Sequence, residues 1–205
     1  MSTPKINQNF FKIACLFEGS LILVALVIGW LTDIDPFAAI HFSEADIFTG
    51  LVATIPLFLL FMMLYLLPTE SLQQMKTILL ETLGPMMHKY HWSDLLILAA
   101  VAGISEEILF RGVLQPWMEN AWGATAGLIG SNIVFGLVHA VTPLYAFLAA
   151  SVGIYLGLLL DYGDQRNLIT PIVVHSFYDF LAFLVIMRTY RTEYLTNKDV
   201  DDDGQ

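Results

Sequence analysis

The chain has 205 residues, of which 57% are hydrophobic and only 14% are charged. A soluble domain usually carries about 25% charged residues, so this composition excludes an ordinary soluble domain and indicates an integral membrane protein. The formal net charge is −10, and no basic patch with interleaved aromatic residues accompanies it, which excludes nucleic acid as a partner. The single cysteine, Cys15, excludes an intrachain disulfide and a zinc site built on cysteines.

Six apolar runs predict membrane-spanning helices, because a bilayer core needs about 20 helical residues. The predicted spans cover residues 13–31, 47–67, 92–114, 124–142, 144–160 and 168–187. Residues 69–91 alternate apolar and polar side chains at helical spacing, which predicts an amphipathic helix at the membrane surface, broken or bent at Gly84–Pro85. The expected fold class is all-α: a polytopic membrane helix bundle of about six transmembrane helices plus one interfacial amphipathic helix.

We expect residues 1–205 to form a single membrane domain that ends in an acidic tail, residues 188–205. With six spans, nearly all basic residues outside the third span fall on one side, which places both termini in the cytoplasm; they are Lys5, Lys12, Lys76, Lys89, Arg188, Arg191 and Lys198, with Arg166 alone on the other side. The tail contains Asp199-x-Asp201-x-Asp203-Gly204, the opening of a calcium loop without its closing glutamate. A solvated tail is therefore expected.

Ionisable residues inside a membrane span are costly, so they indicate a functional site. Glu18 interrupts the first span; it could lie near the membrane surface or face the protein interior, and we expect the surface. The other candidates lie in the third, fourth and sixth spans; they are Glu106, Glu107, Arg111, His139, His175 and Asp179.

The spacing of these residues along their helices predicts where their side chains point. Glu107 and Arg111 are four residues apart, so they lie on one helix face and can form an ion pair. Glu106 is turned about 100° away from Glu107, which leaves it free to face a cavity. Phe135 and His139 share the four-residue spacing, so the aromatic ring should restrict the imidazole.

His175 and Asp179 are also four residues apart, and the carboxylate could hold the imidazole in one tautomer. One glutamate and two histidines from three helices suit two kinds of chemistry. Glu106 assisted by a histidine could deprotonate water for attack on an amide, with the second histidine stabilising the oxyanion. Alternatively, Glu106, His139 and His175 could hold Zn²⁺ and leave a position for water.

The depths of these residues conflict if every span is flush with the bilayer. Counting about 1.5 Å per helical residue, Glu106 lies roughly 20 Å from the cytoplasmic start of its span and His139 only about 5 Å from that surface. We therefore expect that Thr142–Pro143 is recessed, or that the third span starts deeper.

Three motifs, taken together and in this order, resemble the signature of the CAAX-protease and bacteriocin-processing (CPBP, or Abi) membrane proteins. They are Glu106-Glu107-x-x-x-Arg111, Phe135-x-x-x-His139 and His175-x-x-x-Asp179. The resemblance covers roughly residues 93–187, the expected catalytic core, and leaves residues 1–92 as accessory spans and amphipathic helix. It implies that Glu106 is the general base and that His139 helps to activate water. It also implies that His175 and Asp179 form the oxyanion site, supported by Glu107, Arg111 and Phe135.

The implied activity is that of an intramembrane endopeptidase acting on a membrane-associated protein or peptide, in contact with membrane lipid. The alternative is a non-catalytic scaffold or bacteriocin self-immunity protein on the same fold. The implied location is a bacterial plasma membrane. No cofactor is firmly implied; a divalent metal such as Zn²⁺ at Glu106, His139 and His175 is the alternative. Asp179 departs from the asparagine common in the prenyl endopeptidases, and an ionised aspartate can only accept hydrogen bonds.

Overall fold

The computed structural model describes residues 10–195, and every regular element in that range is helical. The acidic residues Asp199 to Asp203 lie outside it. In chain order the helices are α1 Phe10–Thr32, α2 Glu44–Leu66, α3 Glu70–Met87, α4 Trp92–Leu109, α5 Gln115–Trp122, α6 Ala124–Val138, α7 Pro143–Leu159 and α8 Ile169–Tyr190. A π-helical turn, Phe110–Leu114, joins α4 to α5 and is called the π-segment below; a second one, Arg191–Leu195, follows α8.

Within the described range, three helices are long and apolar enough to cross a membrane: α1, α2 and the helix over Ile169–Glu193. The apolar helices α6 and α7 are shorter. Large apolar side chains lie exposed on the outside of the bundle, as expected of a surface that faces lipid; examples are Leu16, Trp30, Phe48 and Phe147. The expected all-α membrane helix bundle is confirmed.

Two local expectations are corrected. Residues 115–122, expected to be part of a loop, form α5. Pro116 suits the first turn of that helix because its missing N–H would have no partner within the helix, and Gly123, with φ 88°, ends it. The amphipathic helix α3 is not broken at Gly84–Pro85 but continues to Met87, and Gly84 packs directly against the ring of Tyr190 at the end of α8.

Helix α8 is the centre of the bundle, since it packs against α2, α3, α4 and α7. Its contact with α4 is especially close. A Cβ atom on Gly103 of α4 would lie 2.8 Å from the backbone nitrogen of Ser176 in α8, so only glycine fits there. This approach brings His175, next to Ser176, against the glutamates of α4.

The hairpin of α6 and α7 brings His139 to the level of Glu106. Helix α6 ends at Val138 rather than Thr142, and its 15 residues span about 22 Å, less than a bilayer core of about 30 Å. Thr142 caps α7 by accepting the N–H of Tyr145 at 3.0 Å. His139, in the turn between the two helices, lies 3.5 Å from Glu106 of α4. The two residues therefore meet, and the recess of Thr142–Pro143 or a deeper start of the third span stays a prediction.

Candidate active site

A cavity of about 750 Å³ lies among seven helices, α1 to α4 and α6 to α8. Its wall is mostly apolar, and α1, α2 and α3 supply about half of it. The lining residues with a carboxyl, amine or imidazole group are Glu18, Lys76, Glu106, His139, His175 and Asp179. The structure therefore brings all four residues expected to be catalytic to one cavity, together with two that were not expected there.

Glu106 places its carboxylate between the two histidines. Its Oε2 atom lies 3.5 Å from Nε2 of His139 and 4.0 Å from Nε2 of His175. These distances exceed those of a good hydrogen bond, and Oε2 has no hydrogen-bond partner among the residues described although it is buried. A polar atom left open between two imidazoles at a cavity wall is where a water molecule or a substrate atom would bind.

His139 is held at its other nitrogen. Nδ1 lies 2.8 Å from the carbonyl oxygen of Phe135, so a neutral imidazole carries its proton on Nδ1 and donates it there. Nε2, which faces Glu106, is then an acceptor. The ring also stacks on Phe135, with centroids 4.4 Å apart and planes at 30°. The four-residue spacing of Phe135 and His139 thus gives one fixed ring orientation.

His175 is held by Glu107, not by Asp179. Its Nδ1 atom lies 2.7 Å from Oε1 of Glu107, whereas Oδ2 of Asp179 lies 3.5 Å from Nε2 on the cavity side. The sequence assigned the orienting role to Asp179 because of its spacing on the same helix. The close packing of α8 on α4 decides otherwise, because it turns Nδ1 towards the α4 carboxylate.

Arg111 connects Glu107 to the neighbouring helices. It donates to Oε1 of Glu107 at 3.0 Å, to Oδ1 of Asn132 at 2.9 Å and to the carbonyl oxygen of Gly153 at 2.8 Å. Its guanidinium also lies over the ring of Phe135, 4.7 Å from the centroid. The ion pair expected from the spacing is present, and it ties the π-segment to α4, α6 and α7.

Sequence reasoning missed three features of this site. The contact of Glu107 with His175 joins separate helices, so no spacing could show it. Asn132 is a polar residue within an apolar run, which was a signal of a buried partner. Glu18 was expected near the membrane surface, but its Oε2 atom is buried and its side chain lines the cavity.

Within residues 10–195, no group of three or more His, Cys, Asp or Glu side chains has the arrangement of a metal site. Zinc at Glu106, His139 and His175 stays a prediction.

The fold and this cluster define a class: membrane helix bundles that hold a carboxylate and two oriented imidazoles at an internal cavity, the groups of a hydrolytic site. In a comparison with known protein families, residues 88–181 match the family described as type II CAAX prenyl endopeptidase Rce1-like. All seven expected site residues, from Glu106 to Asp179, lie within the match. The resemblance is therefore confirmed for this segment, which is similar to the type II CAAX prenyl endopeptidases. Neither the curated proteins nor the solved structures gave a match.

Proposed function

We propose that the chain is an intramembrane endopeptidase that hydrolyses a peptide bond of a membrane-associated protein or peptide. One observation carries the proposal: the buried Oε2 atom of Glu106 has no hydrogen-bond partner within residues 10–195 and lies 3.5 Å and 4.0 Å from two imidazole Nε2 atoms. The apolar wall around it suits a peptide segment that arrives from lipid.

Glu106 and His139 activate the water. A water molecule in contact with Glu106 Oε2 gives its proton to the carboxylate as its oxygen attacks the carbonyl carbon of the substrate. His139 positions that water through Nε2, since its Nδ1 proton is already donated to Phe135. When the C–N bond breaks, the proton held by Glu106 passes to the leaving nitrogen, so the reaction begins and ends with the same ionised carboxylate.

His175 stabilises the oxyanion with support from Asp179. To donate to the oxyanion, His175 must carry a proton on Nε2 while Nδ1–H is held by Glu107 at 2.7 Å. An ionised Asp179 has no proton to donate, so its part is to stabilise the positive charge of the doubly protonated His175 ring from 3.5 Å away. At the oxyanion site, His175 is thus the hydrogen-bond donor, and Asp179 stands where the prenyl endopeptidases commonly have asparagine.

We propose that the protein lies in a bacterial plasma membrane with both termini in the cytoplasm. The basic residues Lys76, Lys89, Arg188 and Arg191 support this orientation, since all fall on one side of the predicted spans.

The test replaces Glu106 with glutamine, which keeps the size of the side chain and removes the base. Peptides and proteins are compared by mass spectrometry in membranes from cells that make wild type, Glu106→Gln or no protein. We expect cleavage to fall about 10²–10⁴-fold in the variant, with uncut substrate accumulating. Glu81→Gln, on an exposed position of α3, is the control and should cleave normally.

Normal insertion with full cleavage in Glu106→Gln would contradict the proposal. If wild type cleaves nothing and Glu106→Gln leaves the phenotype of the cells unchanged, the non-catalytic scaffold or immunity protein is favoured instead.

A further inference from the structure

Glu18 is a charged side chain that the proposed reaction does not use. It lies on α1, outside the family match of residues 88–181. Its Oε2 atom is buried and has no hydrogen-bond partner among the residues of the described range. Such a carboxyl group within a membrane helix is costly unless a ligand or a partner satisfies it.

The face of α1 towards the cavity is otherwise apolar. Phe10, Ile13, Ala14, Phe17 and Glu18 line the cavity, with the spacing of one helix face. Glu18 is the only one of the five with a polar side chain. Helix α1 packs against α4, so it presents this carboxyl group to the same cavity that holds Glu106.

The wall of the cavity carries an excess of acidic groups. Glu18, Glu106 and Asp179 line it. The carboxylates of Glu106 and Asp179 repel the charge of Glu18, whereas the imidazoles of His139 and His175 attract it. Besides the two imidazoles, the lining residue of opposite charge is Lys76. Its Nζ atom is engaged at the edge, 3.5 Å from Oε1 of Glu193 and 4.7 Å from the centre of the Tyr65 ring.

A second observation, independent of Glu18, indicates that this cavity binds a polar group. Glu106 is only 7% exposed, faces the same space and also leaves its Oε2 atom without a hydrogen bond. A cleft lined by charges of one sign, with low-dielectric walls, attracts groups of the opposite sign. Glu106 and Asp179 already lie within 4.0 Å of imidazole nitrogens, whereas Glu18 has no such contact to a nitrogen.

We infer that the cavity recognises a positively charged group on an otherwise apolar chain, a primary amine or a guanidinium, and that Glu18 is its partner. The apolar wall binds the chain and the carboxylate of Glu18 accepts hydrogen bonds from the cation. The inference deepens the proposed function, since the cationic group would belong to the substrate. Binding itself requires no cleavage and is tested without it.

The test uses three probes with the same alkyl chain: dodecylamine, dodecanol and dodecanoic acid. Binding of each to the purified full chain in detergent is measured by native mass spectrometry. We expect wild type to bind the amine about tenfold more tightly than the alcohol, the gain of one charge-assisted hydrogen bond, and to bind the acid most weakly. Glu18→Gln should lose that tenfold preference for the amine and bind the alcohol as wild type does.

Glu81→Gln is the matched control, since it removes one carboxylate from the exposed face of α3 and should keep the preference. Equal binding of amine and alcohol by wild type overturns the inference, as does an equal loss in both variants. The wild-type comparison decides the matter even if Glu18→Gln does not fold. Cleavage by Glu106→Gln alongside amine-selective binding would overturn only the proposed reaction.

Discussion

Two faces of α4 carry adjacent carboxylates in different surroundings. On one face Oε1 of Glu107 accepts hydrogen bonds from Arg111 and His175, at 3.0 Å and 2.7 Å. On the other face Glu106 makes no hydrogen bond through Oε2 and lines the cavity. Glu107 also retains one oxygen without a hydrogen-bond partner in the described range. Hydrogen bonding alone therefore does not distinguish the two carboxylates.

Access to the cavity separates the two carboxylates. Glu107 and Arg111 are shut inside the bundle, whereas Glu106 faces a space large enough for a substrate. A buried ion pair that no ligand can reach fixes the arrangement of helices, and a buried carboxylate that a ligand can reach is a candidate for chemistry. Substitutions on the Glu107 face should therefore lower stability more than activity, and substitutions on the Glu106 face should lower activity more than stability.

The largest effect on stability is expected from Arg111→Met. The change leaves Glu107 without its arginine and removes the donor to Asn132 and Gly153. Loss of one partner of a buried pair costs about 3–5 kcal/mol. The free energy of unfolding, measured in detergent by denaturant titration, should fall by that amount, while Glu106→Gln should change it little.

The double variant Glu107→Gln with Arg111→Met sharpens this comparison. It removes both charges of the ion pair, so Glu107 no longer leaves an unpaired carboxylate and the stability should recover part of what Arg111→Met lost. If the double variant is less stable than Arg111→Met, the pair is not the main source of the loss.

Patterns along single helices were readable from the sequence. The apolar runs predicted the long helices α1, α2 and α8 because burial in lipid requires length and apolarity, which are local properties. The pair of Glu107 with Arg111 and the stacking of Phe135 on His139 follow from the helical period alone.

Contacts between helices were not readable in the same way. His175 is oriented by Glu107 from α4, and the spacing on α8 suggested Asp179 instead. The end of α6 at Val138 accompanies its close packing on α7, where Gly136 lies against Ala146 and Ala150. Glu18 was placed at the surface because a membrane span alone does not show which side faces a cavity.

Gly103→Ala should have an intermediate effect that reaches both faces. The added methyl group would meet the backbone of Ser176, 2.8 Å from its nitrogen, and overpacking of this kind costs about 1–3 kcal/mol. Because α8 must shift, His175 should move away from both glutamates, and cleavage should fall together with stability. Unfolding and cleavage are measured on the same preparations.

Gly19→Ala is the control for that substitution. A Cβ atom at Gly19 of α1 meets no atom within 4 Å, so this variant should be at least as stable as wild type and fully active. Wild-type stability in Gly103→Ala would show that the contact of α4 with α8 adapts easily and does not fix His175.

The smallest effect is expected from Phe135→Leu, at the residue that touches both faces. The Phe135 ring lies under the guanidinium of Arg111 and stacks on His139. Loss of these aromatic contacts costs about 1 kcal/mol. Because the imidazole of His139 is then less restricted, kcat should fall while KM stays near its wild-type value, as steady-state cleavage of an identified substrate would measure.

Phe110→Leu is the matched control, since Phe110 packs against Phe135 with ring centroids 4.9 Å apart and makes no ring contact with His139. It should lose similar stability and keep kcat, and an equal fall of kcat in both variants would mean that Phe135 acts through packing of the bundle and not through His139.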